Sequence, residues 1–119
     1  MSFTIITAKQ YHLYEIPRGD DWHIYIPVYS DETNTFDLSS WQGHAQVRKK
    51  VDGSLIADFD TYDGTMEFGN GYIYLNRDKD LTNIKPSTYV WDCEFLDPLG
   101  YRRTLILESD FEIIGDVTL

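Results

Sequence analysis

Apolar and polar residues alternate with a period of two along most of this chain, and no long window carries a helical stripe. Tyr89, Trp91, Cys93 and Phe95 alternate with Val90, Asp92 and Glu94, which predicts a half-buried strand at the centre of a sheet. Ala45 and Val47 alternate with His44, Gln46 and Arg48, and Asp52-Gly53 then supplies a hairpin turn into Leu55, Ala57 and Phe59. Gly69-Asn70-Gly71 joins a strand over Thr65–Phe68 to another over Tyr72–Leu75, with Ile73 and Leu75 facing inward. From Trp22 to Tyr29, Ile24, Ile26 and Val28 share one face, opposite His23, Tyr25 and Tyr29. Pro27 has no N–H to give to a ladder, so this strand belongs at an edge or carries a bulge.

Short strands are also expected over Thr4–Thr7 and Tyr11–Ile16, ended by the turn-forming run Pro17-Arg18-Gly19-Asp20-Asp21. The polar residues 30–40 form the longest loop, and Asp78–Ile84 has room for a single helical turn. Asp97-Pro98-Leu99-Gly100 turns the chain into a strand over Arg103–Leu107, and a last one runs through Phe111, Ile113 and Val117. About nine or ten short antiparallel strands separated by turns make an all-β sandwich. Its expected interior is Ala45, Val47, Phe59, Ile73, Leu75, Tyr89, Trp91, Cys93, Phe95, Leu105 and Leu107.

A length of 119 residues suits one domain, 1–119, in which residues 1–20 form an additional hairpin or a contact arm. The formal charge of −10 repels phosphates, so no nucleic-acid partner is expected; Arg48-Lys49-Lys50, the one dense basic run, reads as a solvated strand end. A lone cysteine, Cys93, forms no internal disulfide, so the fold does not depend on an oxidising compartment. The start lacks the charged and apolar runs of a secretory signal, and no segment has the length of a membrane span. Synthesis in a cytoplasm, with no membrane partner, is the expectation.

Candidate chemistry is sparse. The Gly-x-Ser-x-Gly elbow of hydrolases is missing, and Cys93 sits between Trp91 and Phe95 as a buried, inert thiol. His12, His23 and His44 are scattered singly, without zinc spacing. Asp58-Phe59-Asp60-Thr61-Tyr62-Asp63-Gly64 places aspartates and glycine out of step with a calcium loop and reads as a strand end and turn. Arg18-Gly19-Asp20, an integrin-binding tripeptide elsewhere, is here part of a turn. No catalytic residue, cofactor or metal is assigned.

From Asp37 onward the chain resembles an immunoglobulin-like module of bacteriophage tail and baseplate proteins, typically found at the N-terminus of upper baseplate subunits. The similarity runs through Asp37-Leu38-Ser39-Ser40-Trp41, Ala45-Gln46-Val47-Arg48, Gly71-Tyr72-Ile73-Tyr74-Leu75, Tyr89-Val90-Trp91-Asp92 and Asp97-Pro98-Leu99-Gly100 to Phe111–Thr118. Trp41-Gln42-Gly43 departs from the module's usual glycine placement, and Trp91 stands where it often has tyrosine.

The resemblance implies an immunoglobulin-like β-sandwich in a non-enzymatic virion structural protein, made in the host cytoplasm. It would act as a tail, baseplate or neck assembly or attachment module, or as a capsid decoration protein. The implied partners are other virion proteins, or a second copy. Surplus apolar residues before the module, and the loop after Tyr29, point to Phe3, Ile5, Tyr11, Tyr14 and Phe36 as contact residues. The alternative is a carbohydrate- or ligand-binding module in which outward Tyr25, Tyr29, Tyr72 and Tyr74 stack on sugar rings.

Overall fold

The structure, a computed structural model, describes residues 9–29 and 34–115. The chain forms β1 (Lys9–Gln10), β2 (Leu13–Pro17), β3 (Trp22–Pro27), β4 (Gln42–Arg48) and β5 (Leu55–Asp60). There follow β6 (Met66–Gly69), β7 (Tyr72–Arg77), β8 (Ser87–Leu96) and β9 (Arg102–Ile114). One sheet has the order β1-β9-β8-β4-β5, with β2 also on β9; the other is β3-β7-β6. Packed face to face they form the expected sandwich. A B-E-D sheet opposed to a G-F-C-C′ sheet is the variable-type immunoglobulin order, with β3, β7, β6 and β9, β8, β4, β5 in those places. Tyr89 in β8 adds a local mark of such folds: its hydroxyl donates to the carbonyl of Lys85, four residues upstream, at 2.5 Å.

Alternation decides which side chains meet between the sheets. Trp22 of β3 and Phe111 of β9 pack with ring centroids 5.5 Å apart, and Trp91 of β8 meets Phe111 edge-on at 6.2 Å. Both buried indoles find acceptors in the N-terminal segment: Trp22 Nε1 donates to the Pro17 carbonyl at 2.7 Å and Trp91 Nε1 to that of Tyr11 at 2.9 Å. Buried indole N–H groups need such partners. At the other end of the core, Trp41 packs on Phe95 at 4.5 Å and takes Phe36 edge-on at 5.8 Å. There the sheets approach so closely that a Cβ on Gly43 would overlap the Phe68 ring and lie 2.7 Å from Met66 Sδ. The glycine whose placement departs from the module is thus required by packing.

Several expectations hold in detail. β3, with Pro27, is an edge strand; β8 is central; Asp52-Gly53 closes the β4–β5 hairpin with Gly53 at φ 72°. Lys79–Leu81 makes the single helical turn, begun by Asp78, whose side chain accepts from the Asp80 N–H.

Others need correction. β1 and β2 run parallel to β9, so the strands are not all antiparallel. A chain that crosses back to the same edge as its own last strand leaves no hairpin to signal the pairing. Leu107 is 45% exposed, and Ile106 is buried in its place. The β8–β9 register shifts between Trp91 and Glu94, and such an irregularity moves a simple alternation onto the other face. Arg103–Leu107 and the Phe111 segment are one strand of 13 residues. The loop after Tyr29 is not merely polar cover: Leu38 is fully buried, Phe36 is 9% exposed, and bridges join Tyr29 to Thr35 and Asp37 to Asn70. Thr4–Thr7 and Val117 lie outside the described residues.

Candidate functional site

Two surfaces stand out. The first is the solvent face of the three-stranded sheet. Because β3 and β7 pair with Tyr25 opposite Tyr74 and His23 opposite Asn76, the residues left outward by burial of Trp22, Ile26, Ile73 and Leu75 form one aromatic group. Tyr25 stacks on Tyr72 with centroids 4.8 Å apart and tilts against Tyr74 at 6.3 Å; His23 lies parallel to Tyr74 at 6.1 Å. A hydrogen bond joins His23 Nδ1 to the Tyr74 hydroxyl. Tyr72 reaches this position because Gly69, its cross-strand partner, has no side chain: a Cβ there would overlap the phenol ring. The Tyr72 hydroxyl donates to Glu67 Oε1 at 3.3 Å, and that carboxylate's charge pushes the phenol's pKa up. Tyr29, also predicted to face out, is 55% exposed.

The second surface is the end of the sandwich where β4 begins and β5 and β8 finish. A cleft of about 550 Å³ opens there, lined by Trp41, His44, Asp60, Tyr62, Glu94 and Arg102 among others. His44 stands directly opposite Asp60 on one side and Glu94 on the other, so the three share a face. Arg102 lies 3.9 Å from Glu94. Around the cleft the β5–β6 and β8–β9 turns raise large side chains into solvent: Tyr62 is 97%, Leu99 75% and Tyr101 63% exposed. Thr61 ties its turn to β4, donating its N–H to the Gly43 carbonyl and accepting from the Gly43 N–H, both at 3.0 Å. The β8–β9 turn is set by Asp97, which is 4% exposed and accepts from the N–H groups of Leu99 and Tyr101, both at 2.9 Å. Arg103 Nε lies 3.5 Å from the same carboxylate. Sequence reading missed this surface, although Leu99 and Tyr101 bracketing Gly100 signalled apolar residues on a turn.

Among the described residues, the predicted contact residues Tyr11, Tyr14 and Phe36 do not form one patch. Tyr14 is 56% and Tyr11 37% exposed on the segment that flanks β9, where Tyr14 stacks on His12 at 6.0 Å. Phe36 is in the core against Trp41, its N–H given to the Val28 carbonyl and its carbonyl accepting from the Gly71 N–H, so it is no open surface contact. Phe3 and Ile5 lie outside the described residues. The described part of the arm, residues 9–17, is bonded into its own sheet.

The remaining candidates resolve as structural parts. Cys93 is fully buried, and desolvation pushes its thiol pKa far up. Asp60 and Asp63 of the calcium-like stretch accept the N–H groups of Tyr62 and Thr65 at 2.7 and 2.9 Å. Arg18 gives its Nε–H to Asn83 Oδ1 at 2.8 Å, which holds the Arg18-Gly19-Asp20 turn against the body. Among the described residues, no group of three or more His, Cys, Asp or Glu is arranged to hold a metal ion. No helix among them is long and apolar enough to cross a membrane. The chain matches no protein-family model and no curated protein.

Proposed function

We propose that this chain is a non-enzymatic structural protein of a bacteriophage virion, a tail, baseplate or neck assembly or attachment module that works through contacts with other virion proteins. The observation that carries this reading is the loop end of the sandwich. Tyr62 on the β5–β6 turn and Leu99 and Tyr101 on the β8–β9 turn are each more than half exposed at the same end of the sandwich, where a cleft lined by Tyr62 opens. Exposed aromatic side chains beside a concavity are what protein interfaces use as anchors. The turns are held by Asp97 and by the Thr61–Gly43 pair, so little ordering is left to be done on binding. The strand order supports the resemblance on which the virion assignment rests. A position as a capsid decoration protein uses the same contacts.

Mass spectrometry of purified particles should find the chain in stoichiometric amount. A double variant, Tyr62→Ala with Tyr101→Ala, should fold normally yet be lost from particles. Normal incorporation of that folded variant would remove the loop end as the contact surface. Absence of the chain from virions would end the virion reading.

A further inference from the structure

We propose that the outer edge of β3 joins the same edge of a second copy of this chain, antiparallel about a two-fold axis at Tyr25, so that two three-stranded sheets become one continuous sheet. The joint is made by backbone groups at the side of the sandwich, and it does not rest on the contacts assigned to the loop end.

The direction of the β3 backbone groups follows from its ladder to β7. Val28 gives its N–H to the Gly71 carbonyl at 2.8 Å, on the β7 side. In an antiparallel pair, hydrogen-bonded and non-bonded residue pairs alternate, so Trp22, Ile24 and Ile26 also turn their N–H and C=O groups toward β7. His23, Tyr25 and Pro27 therefore turn theirs the other way. The partner strand agrees, because Asn76, opposite His23, gives its N–H to the Thr65 carbonyl, away from β3. Pro27, which has no N–H, stands where β7 requires none. Among the described residues no strand pairs with this edge, since the sheet has the order β3-β7-β6. The edge presents the N–H and C=O of His23 and Tyr25 and the C=O of Pro27, a row that another extended strand matches group for group.

Charge and symmetry select a second copy as that strand. Asp, Glu, Lys and Arg make up 25% of the chain, yet Trp22–Pro27 contains none of them. The lysines and inward charges that guard many edge strands are missing here. Two-fold pairing about Tyr25 lets the two Tyr25 residues exchange both of their N–H···O bonds, and each His23 gives its N–H to the second copy's Pro27 carbonyl. Asp21 then falls opposite the uncharged Tyr29, so no like charges meet along the joint. Side chains match as well. Tyr25, 60% exposed, meets its counterpart on the outer face, and the His23 ring lies across from proline. On the inner face Ile24, which packs against the core but is only partly buried, meets Ile26 and gains the cover it lacks at an open edge.

Sedimentation of the full chain from micromolar to millimolar concentration should show a monomer–dimer equilibrium. Amide exchange followed by NMR on dilute and concentrated samples should show the His23 and Tyr25 N–H groups becoming protected as the dimer fills. Tyr25→Glu sets two carboxylates opposite each other and should weaken the dimer by about tenfold or more. Val51→Glu adds the same charge at a 96% exposed residue of the β4–β5 turn and should leave the dimer within about twofold of wild type. A chain that stays monomeric at millimolar concentration overturns the proposal, as does a dimer that Tyr25→Glu weakens no more than Val51→Glu does. So does exchange at His23 and Tyr25 that is the same in dilute and concentrated samples, whether fast or slow. If Tyr25→Glu does not fold, the exchange of the wild-type chain decides alone. A monomeric result leaves the loop-end reading standing, because that reading is tested by incorporation into particles.

Discussion

Trp91 shows how much one side chain can hold. It is 1% exposed in the central strand, packs edge-on against Phe111, and gives its indole N–H to the Tyr11 carbonyl. Replacing it with alanine removes a large apolar surface and leaves that carbonyl without its partner, so Trp91→Ala should cost about 3–5 kcal/mol in denaturant unfolding. Two residues on, Cys93 is fully buried between β4 and β9, and desolvation raises its pKa well beyond that of a free thiol. The thiolate is the reactive species, so a small alkylating reagent should label Cys93 only at the rate of unfolding and rapidly once denaturant is added. Fast native-state labelling would place the thiol elsewhere. These roles were legible in the alternation of Tyr89–Phe95, because a period-two pattern with four large residues on one face has one sensible burial. Leu107 was not, because the irregular β8–β9 register lies between it and that pattern.

At the scale of elements, the turns explain part of the acidity. Asp37, Asp52 and Asp63 each accept the N–H of the residue two positions on, Ser39, Ser54 and Thr65, at 2.9 Å. This Asx arrangement gives the backbone an acceptor where no strand supplies one. Hydrogen bonds from those same serine and threonine residues lower all three carboxyl pKa values below the ordinary 3.8. A carboxyl depressed in the folded state contributes stability that is fully present above its unfolded value and lost as pH falls through the folded one. Denaturation midpoints should therefore be flat down to about pH 5 and decline below about pH 4. Asp52→Asn and Asp63→Asn together should shrink the decline, and an unchanged acid limb would show that these carboxylates are not linked to folding. Asp52-Gly53 and the stretch from Asp58 to Gly64 made the turns at 52 and 63 readable in the sequence. The turn at 37 lies just before Leu38, whose full burial no local pattern signals, since it depends on the loop folding back toward Gly69 and Trp41.

On the scale of the whole molecule, strand identity was largely readable and strand neighbourhood only in part. Hairpins announce themselves through turn residues, whereas the parallel pairing of β1 and β2 with β9 joins residues almost a chain length apart. The aromatic face was partly legible, as outward tyrosines on two separate strands, but their union depends on β3 pairing with β7 across the intervening sequence. The N-terminal segment illustrates the consequence. Ile16 is buried opposite Ile113, Leu13 packs partly against the core, and both large indoles donate to carbonyls between Tyr11 and Pro17. Removing residues 1–17 takes away the cover of one aliphatic side chain, worth about 2 kcal/mol, and the acceptors of two buried N–H groups, at about 1–3 kcal/mol each. The loss of about 4–8 kcal/mol is comparable with the total stability of a small domain, so this truncation should not yield a cooperatively folding protein. Glu15, at φ 57° in the break between Leu13 and Ile16, is the strained point of the segment. Glu15→Gly should therefore be neutral or mildly stabilising there, where glycine in a regular strand costs about 0.5–1 kcal/mol. Comparing urea unfolding of the full chain, Glu15→Gly and the truncation separates the two effects. A truncated chain that unfolds with an unchanged midpoint would show that the parallel strands are an ornament on the sandwich rather than one of its walls.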